Sequence, residues 1–342
     1  MFSLPLLAAP SVPLARVLPV LAWMGLPVLA GFLAWQWGLR RRPGGAALAA
    51  AATGVLSRAV LVVLTPLLMV VLFWPARIPL SLPLIGLFAH LFGGAVGYGL
   101  GRFGRLDRGG RGAFFLCGAC SNILSFGGIT TLFLVGPHHP GGPDGALSDL
   151  ALYRVFETPL YFLFAWPVFA LFAPRDDNVP RRRGAAFRQA VRPAAMMPVA
   201  GIVVGCLLNV SGAPMPAWLA GAAAPLVKLT TLTIGATVGL TLRAASPRRY
   251  LGTCLTLAAV KFIIVPAATV SLAWALGIRG PTLAVVMVCA AMPLANFAVV
   301  GAAYYRLEED RVAAVWIFTM ALMPLVVSLL AVLVEAGQWG RP

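Results

Sequence analysis

The sequence predicts an all-α polytopic membrane protein of ten transmembrane helices in two inverted five-helix repeats, with the fourth and ninth helices broken where they cross. Three observations carry this expectation. The 342 residues are 60% hydrophobic with a mean hydropathy of +0.91, more apolar surface than a chain of that length can bury in a water-soluble core. Arginine clusters fill every second gap between the apolar stretches. An asparagine stands beside helix-disrupting residues at matching places in the two halves.

Ten stretches meet or approach the roughly 17–25 apolar residues that span a hydrocarbon core. They are Leu14–Leu39, Gly54–Trp74, Leu82–Leu100, Ala113–Val135, Leu150–Phe172, Ala195–Val210, Leu219–Leu242, Leu251–Leu276, Leu283–Tyr304 and Val312–Val334. Met1 to Pro13 has no basic residue, so the first span is expected to act as an uncleaved insertion signal.

Eighteen arginines lie in alternate gaps: Arg40–Arg42; Arg102, Arg105, Arg108 and Arg111; Arg175, Arg181–Arg183, Arg188 and Arg192; Arg243, Arg248 and Arg249; Arg306 and Arg311. Basic loops stay cytoplasmic, which puts both termini on the non-cytoplasmic side. Short loops and the lack of an organelle-targeting segment point to a bacterial inner membrane. A net charge of +16 would suggest nucleic acid in a soluble protein. Here the charges form short loops rather than a stripe, so they read as topogenic and no nucleic-acid partner is expected.

The one long polar interruption runs from Arg175 to Pro193 with six arginines. It divides the chain into a first repeat (1–174), a cytoplasmic basic linker (175–193) and a second repeat (194–342). Five crossings per half start the second half on the opposite side, so related halves are inverted.

The fourth span contains Asn122 followed by Gly127-Gly128, and the ninth Pro293 followed by Asn296. Proline removes a backbone donor and clashes with the preceding turn, and paired glycines resist unwinding little. Unwound backbone at membrane depth is tolerated only when buried in protein or lining a cavity. Two such helices aim partly positive half-helix N-termini into the membrane, a setting for an anion held by Asn122 and Asn296. The alternative is a kinked helix whose asparagines bond neighbouring helices.

The only two lysines, Lys228 and Lys261, fall near the middle of consecutive spans. Ionisable groups there are costly and mark function by default, and a buried lysine, unlike arginine, can exchange a proton. Both are candidates for proton or charge coupling; the competing role is a structural tie to a carbonyl. Arg154 and Glu157 are spaced to pair with each other. His90 could relay protons or be a satisfied core residue, and Arg58 is placed to snorkel. His138 and His139, with Asp144 and Asp149, are too loosely spaced for a metal site. All five cysteines fall within spans, and Cys117-x-x-Cys120 reads as packing rather than a redox pair. Enzyme motifs are missing, so no catalytic residue, cofactor or metal is expected.

The C-terminal half resembles the auxin efflux carrier family, which belongs with bile-acid and arsenite carriers in one superfamily of ten-helix transporters. The resemblance rests on Pro225 to Lys228, Ile234 to Leu240, Lys261 to Pro266, Ala291 to Phe297, Ala302 to Tyr304 and Thr319 to Pro324. Asn122 and Gly127 fit the family's spacing in the first crossover. The chain departs from it at Leu124, where the family has glycine, and at Ile129, where it has proline. The resemblance implies a scaffold of the first two helices of each half and a mobile transport unit of the other three. It also implies small organic anions as substrates, such as malonate, malate or an auxin-like acid.

The expected function is therefore secondary transport of an organic carboxylate by alternating access. With an inside-negative potential a leaving monoanion gains about 2.3 kcal/mol per 100 mV, so efflux needs no coupling ion, while uptake would need co-transported protons or sodium, with protons through Lys261 or Lys228 the preferred route. The alternatives are a sodium-coupled carrier resembling the bile-acid symporters, and a non-transporting sensor with a transporter fold. The partners implied are the lipid bilayer, the anion, and a second copy of the chain in a homodimer.

Overall fold

A computed structural model of the chain describes residues 14–76, 80–157, 171–172, 193–241 and 247–336. Among them the regular elements are all helices. In chain order they are α1 (Leu14–Leu39), α2 (Gly45–Phe73), α3 (Ser81–Phe103), α4 (Arg108–Ala119), α5 (Ile123–His138) and α6 (Gly142–Tyr153). Beyond the linker follow α7 (Pro193–Val210), α8 (Ala223–Thr241), α9 (Pro247–Ala275), α10 (Gly280–Ala290), α11 (Asn296–Tyr305), α12 (Glu309–Ala321) and α13 (Met323–Glu335).

By length and composition α1, α2, α3, α8 and α9 can each cross a membrane. The α12–α13 pair, bent by 45°, makes a sixth if taken as one span. The chain is a helical membrane protein. The sixth stretch, α7, is a shorter apolar helix. The fourth and ninth stretches are each two shorter helices, α4 with α5 and α10 with α11. Most of the fifth, and residues 175–192 of the linker, lie outside the described residues. The α12–α13 bend falls at Leu322, with Pro324 in the first turn of α13, where a missing N–H and ring bulk prevent a straight continuation.

Proline also explains where several helices widen. Wide turns of π type cover Ala59–Leu64, Thr131–Val135 and Val260–Ile264. Each ends two residues before a proline: Pro66, Pro137 and Pro266. The proline cannot donate to the preceding turn and pushes on its carbonyl, so the turn takes up one more residue. The third of these turns contains Lys261.

Glycine lets the helices approach until backbones touch. A Cβ on Gly118 of α4 would stand 2.0 Å from Gly93 O of α3, and one on Gly97 of α3 2.2 Å from Phe114 O. A Cβ on Gly239 of α8 would lie 2.1 Å from Val28 O of α1, and one on Gly201 of α7 2.5 Å from Pro66 O of α2. In a bilayer, where apolar burial drives helix pairing weakly, such close contact supplies the attraction. Helix α1 therefore packs on α8, α2 on α7, and α3 on α4.

Two helix ends on the arginine-rich side close alike. Leu106 N–H donates to Gly101 O (3.1 Å) and Leu307 N–H to Ala302 O (2.8 Å), with Arg105 and Arg306 left-handed at φ 54° and 53°, a six-residue closing bond of the Schellman kind. Asp107 then caps α4 by accepting from Gly110 N–H (2.7 Å). Glu308 pairs with Arg311 at 2.7 Å. Burial pushes the Glu308 carboxyl above its usual range, Arg311 opposes this, and neighbouring Asp107 adds to it. A carboxyl raised on folding stabilises the fold below its unfolded value, and that contribution fades as pH rises through the folded one. Glu308→Gln is therefore expected to melt at or above the wild-type temperature at about pH 7 and with it at about pH 4. Melting curves at the two pH values check this; a lower melt at pH 7 would show that the Arg311 pair outweighs burial.

Candidate functional site

Helix α4 ends at Ala119, Cys120 is extended (φ −91°, ψ 122°), and helix resumes at Ile123. The chain breaks again between Ala290 and Asn296. The two interruptions lie antiparallel and bond to each other. Asn122 N–H donates to Pro293 O at 2.9 Å and Ala295 N–H to Cys120 O at 3.4 Å, around a Ser121–Leu294 bridge. Each break thus satisfies backbone groups that the other leaves without helical partners.

Pro293 accounts for the second break. The first falls earlier than the glycine pair suggests. Gly127 and Gly128 are both helical, at φ −61° and −59°, because the backbone that opens is the stretch facing the other interruption. The glycines serve close approach instead. A Cβ on Gly127 would stand 3.3 Å from Met292 Cγ, and one on Gly128 2.9 Å from Val227 Cγ1.

The two asparagines stand at the starts of the resumed helices, Asn122 just ahead of α5 and Asn296 as the first residue of α11. Asn122 is buried; its Oδ1 accepts from Ser125 Oγ (2.5 Å), while its Nδ2 is enclosed with no hydrogen-bond partner. Asn296 Oδ1 is likewise enclosed without a partner. A buried amide group left unpaired costs about 1–3 kcal/mol, so two at one crossing mark a place built for a third participant.

Lys261 joins this crossing. It is 1% exposed, and its Nζ donates to Ser121 Oγ (2.5 Å) and Gly118 O (3.3 Å). His90 of α3, also buried, places Nδ1 2.8 Å from Ala119 O. Two basic side chains therefore cap the partly negative carbonyl end of α4. The helix starts beside it are left with the stronger, positive influence. Lys228 has different surroundings: it is half-buried, with Nζ 5.7 Å from the Trp23 ring and 5.6 Å from the Phe133 ring, a cation–π setting.

Arg154 and Glu157 pair as their spacing predicts, Nε to Oε2 at 2.6 Å, both buried. On the opposite side of the molecule from the arginine-rich loops, His139 Nδ1 accepts from Gly141 N–H (3.1 Å), which leaves Nε2 to donate to Asp149 Oδ2 (3.2 Å). Thr282 donates to the same carboxylate at 2.7 Å. Arg16 bonds both Glu335 and His138 there. Among the described residues no three histidine, cysteine or acidic side chains are grouped to hold a metal, and the cysteines are unbridged.

Beside the crossing lies an apolar cavity of about 320 Å³. It is walled by Met24, Val28 and Phe32 of α1, Phe126 of α5, and Trp316, Met320 and Met323 at the α12–α13 bend.

Of the residues picked out from the sequence, the structure brings together Asn122, Pro293, Asn296 and Lys261, with Gly127 one turn along α5. His90 was ambiguous as a lone histidine between glycines; only the packing of α3 on α4 reveals its place. The class these features define is a helical membrane protein with a polar crossing of two interrupted helices. Neither a protein-family model nor a curated protein matches the chain.

Proposed function

We propose that this protein is a secondary transporter that moves a small organic anion, a carboxylate such as malonate, malate or an auxin-like acid, across a bacterial inner membrane. The observation that carries the reading is the unpaired, enclosed Asn122 Nδ2 at a crossing flanked by two helix starts and the Lys261 ammonium. A carboxylate supplies the acceptor that this donor lacks, and charge-assisted bonds of this kind are the stronger class. The neighbouring apolar cavity has room for the acid's carbon skeleton.

The packing supports a ten-span, inverted-repeat arrangement, and the reading places the chain in the auxin efflux carrier family on its sequence resemblance alone. Helices α1 and α2 are the first and second spans, α7 and α8 the sixth and seventh. Exchanging the halves turns the α1–α8 pair into the α7–α2 pair, and both pairs pack closely. In this arrangement those four helices form the scaffold. The crossing and its neighbours form the moving unit, and both termini face outward.

Lys261 is the fixed positive charge that receives the anion. Lys261→Met is expected to lower carboxylate flux at least about tenfold, the loss of a charge-assisted contact, whereas Lys228→Met retains most of it. Flux of labelled malonate, malate and indole-acetate into proteoliposomes, under imposed potential with pH and sodium gradients varied separately, tests the proposal. Potential-driven or proton-linked movement supports it. Strict sodium dependence favours a symporter of the bile-acid kind, and no flux from folded protein favours a sensor.

A further inference from the structure

Four ionisable side chains lie buried together behind the crossing: His90, Arg154, Glu157 and Lys261, at 3%, 6%, 4% and 1% exposure. They come from α3, the turn after α6, and α9. His90 is within electrostatic reach of Glu157, Lys261 and Arg154. Lys261 is within reach of Glu157 and of the thiols Cys117 and Cys120 on α4. Cys289 of α10 is within electrostatic reach of Arg154, Glu157 and Asp149, and Tyr153 of Glu157. Burying so many charges is costly, and proteins retain them inside a membrane chiefly where ions or protons are handled.

Arg154 and Glu157 neutralise each other at 2.6 Å, and the Lys261 charge is left over. The cluster therefore carries one net positive charge with a neutral His90 ring and two with a protonated one. The ring's state can change without loss of its anchor. The Ala119 carbonyl only accepts, so Nδ1 keeps its hydrogen and Nε2 is the atom that gains or releases a proton. The ordinary range of imidazole, about 6.5, lies near neutrality, which suits the ring to a proton-linked step.

We propose that His90 is the proton-carrying residue of this transporter, taking up a proton at Nε2 as an anion settles on the crossing and releasing it when the anion leaves. The proposal rests on the anion-carrier reading and adds the group that links it to protons. His90 and Lys261 hold adjacent carbonyls of α4, Ala119 O and Gly118 O, so a second positive charge there is best tolerated while an anion offsets it. Linkage is reciprocal: protonation tightens anion binding by the factor by which the anion tightens proton binding. Lys261 attracts the anion and His90 supplies the pH response.

The test compares wild type with His90→Gln, which keeps a donor for Ala119 O, in the three-acid proteoliposome assay. Wild-type uptake is expected to be at least about fivefold faster at about pH 5.5 than at about pH 7.5, and the variant's ratio to stay within about twofold. An unchanged ratio in a folded variant overturns the proposal. If the variant does not fold, ¹⁵N-histidine spectra of the wild-type protein in nanodiscs decide. His138→Asn and His139→Asn assign the outer-face rings and leave His90 identified. A His90 ring that titrates and shifts its midpoint upward on adding the transported acid supports the proposal. A ring in one protonation state from about pH 5 to 9, with and without the acid, overturns it. Lack of wild-type flux with all three acids would instead sink the carrier reading.

Discussion

Asn296→Ala should lower carboxylate transport at least about tenfold while leaving the protein folded. The side chain heads α11 at the crossing, and the backbone bonds that hold the two interruptions together, Asn122 N–H to Pro293 O and Ala295 N–H to Cys120 O, do not involve it. Its Oδ1 is enclosed without a partner, so truncation removes an unpaired atom and costs the fold little. The anion, however, loses the Asn296 Nδ2 donor, since an amide bonds a carboxylate through its N–H and not its oxygen. A polar contact to a charged group is worth about 1.5–3 kcal/mol, a loss of about tenfold to more than a hundredfold. Flux in proteoliposomes, with a monodisperse chromatographic profile as the folding control, checks both halves of the expectation. Near-normal flux would remove the crossing as the binding site.

Gly118→Val is expected to destroy the folded protein altogether. A Cβ at Gly118 would fall 2.0 Å from Gly93 O and 2.8 Å from Gly93 C. The atoms in the way are backbone, so no rotamer change relieves the clash. Separating α3 from α4 would also pull His90 from Ala119 O and disturb the carbonyl that Lys261 holds. Overpacking a tight interior site costs about 1–3 kcal/mol or more, and here the obstacle is rigid. Gly99→Ala, on the same α3 but with nothing within 4 Å of its Cβ, is the control, and it should be neutral or gain up to about 1 kcal/mol from helix propensity. Detergent-solubilised yield and melting temperature separate the two. Equal yields would mean that the α3–α4 seam gives way more readily than its geometry implies.

The long apolar helices were legible because hydropathy acts over whole segments. Leu14–Leu39 is a single helix with the expected bounds, and α3, α8 and α9 match their stretches to within a few residues. Pro293 announced the second interruption because a missing donor is a local property of one residue. The first interruption was displaced from the glycine pair because its position depends on which backbone lies opposite, and that is set by α10 and α11, far away in sequence. Lys261 and Lys228 looked alike along the chain, each deep in a span. What separates them is a π turn enforced by Pro266 and a pair of aromatic neighbours, both invisible to depth counting. His90 stayed ambiguous for a related reason, since its partners belong to α4, α6 and α9.

The two interruptions are joined to each other through main-chain atoms, two amide-to-carbonyl bonds around Ser121 and Leu294. Fastening of that kind is indifferent to side-chain identity, provided position 293 keeps its proline. The positions that would greet a cargo, 122 and 296 together with the cavity wall at 126, 316 and 320, can therefore be exchanged without dismantling the support. On the carrier reading such a scaffold can be retuned to new solutes by a handful of substitutions, and libraries that vary only those positions should yield mostly well-folded proteins.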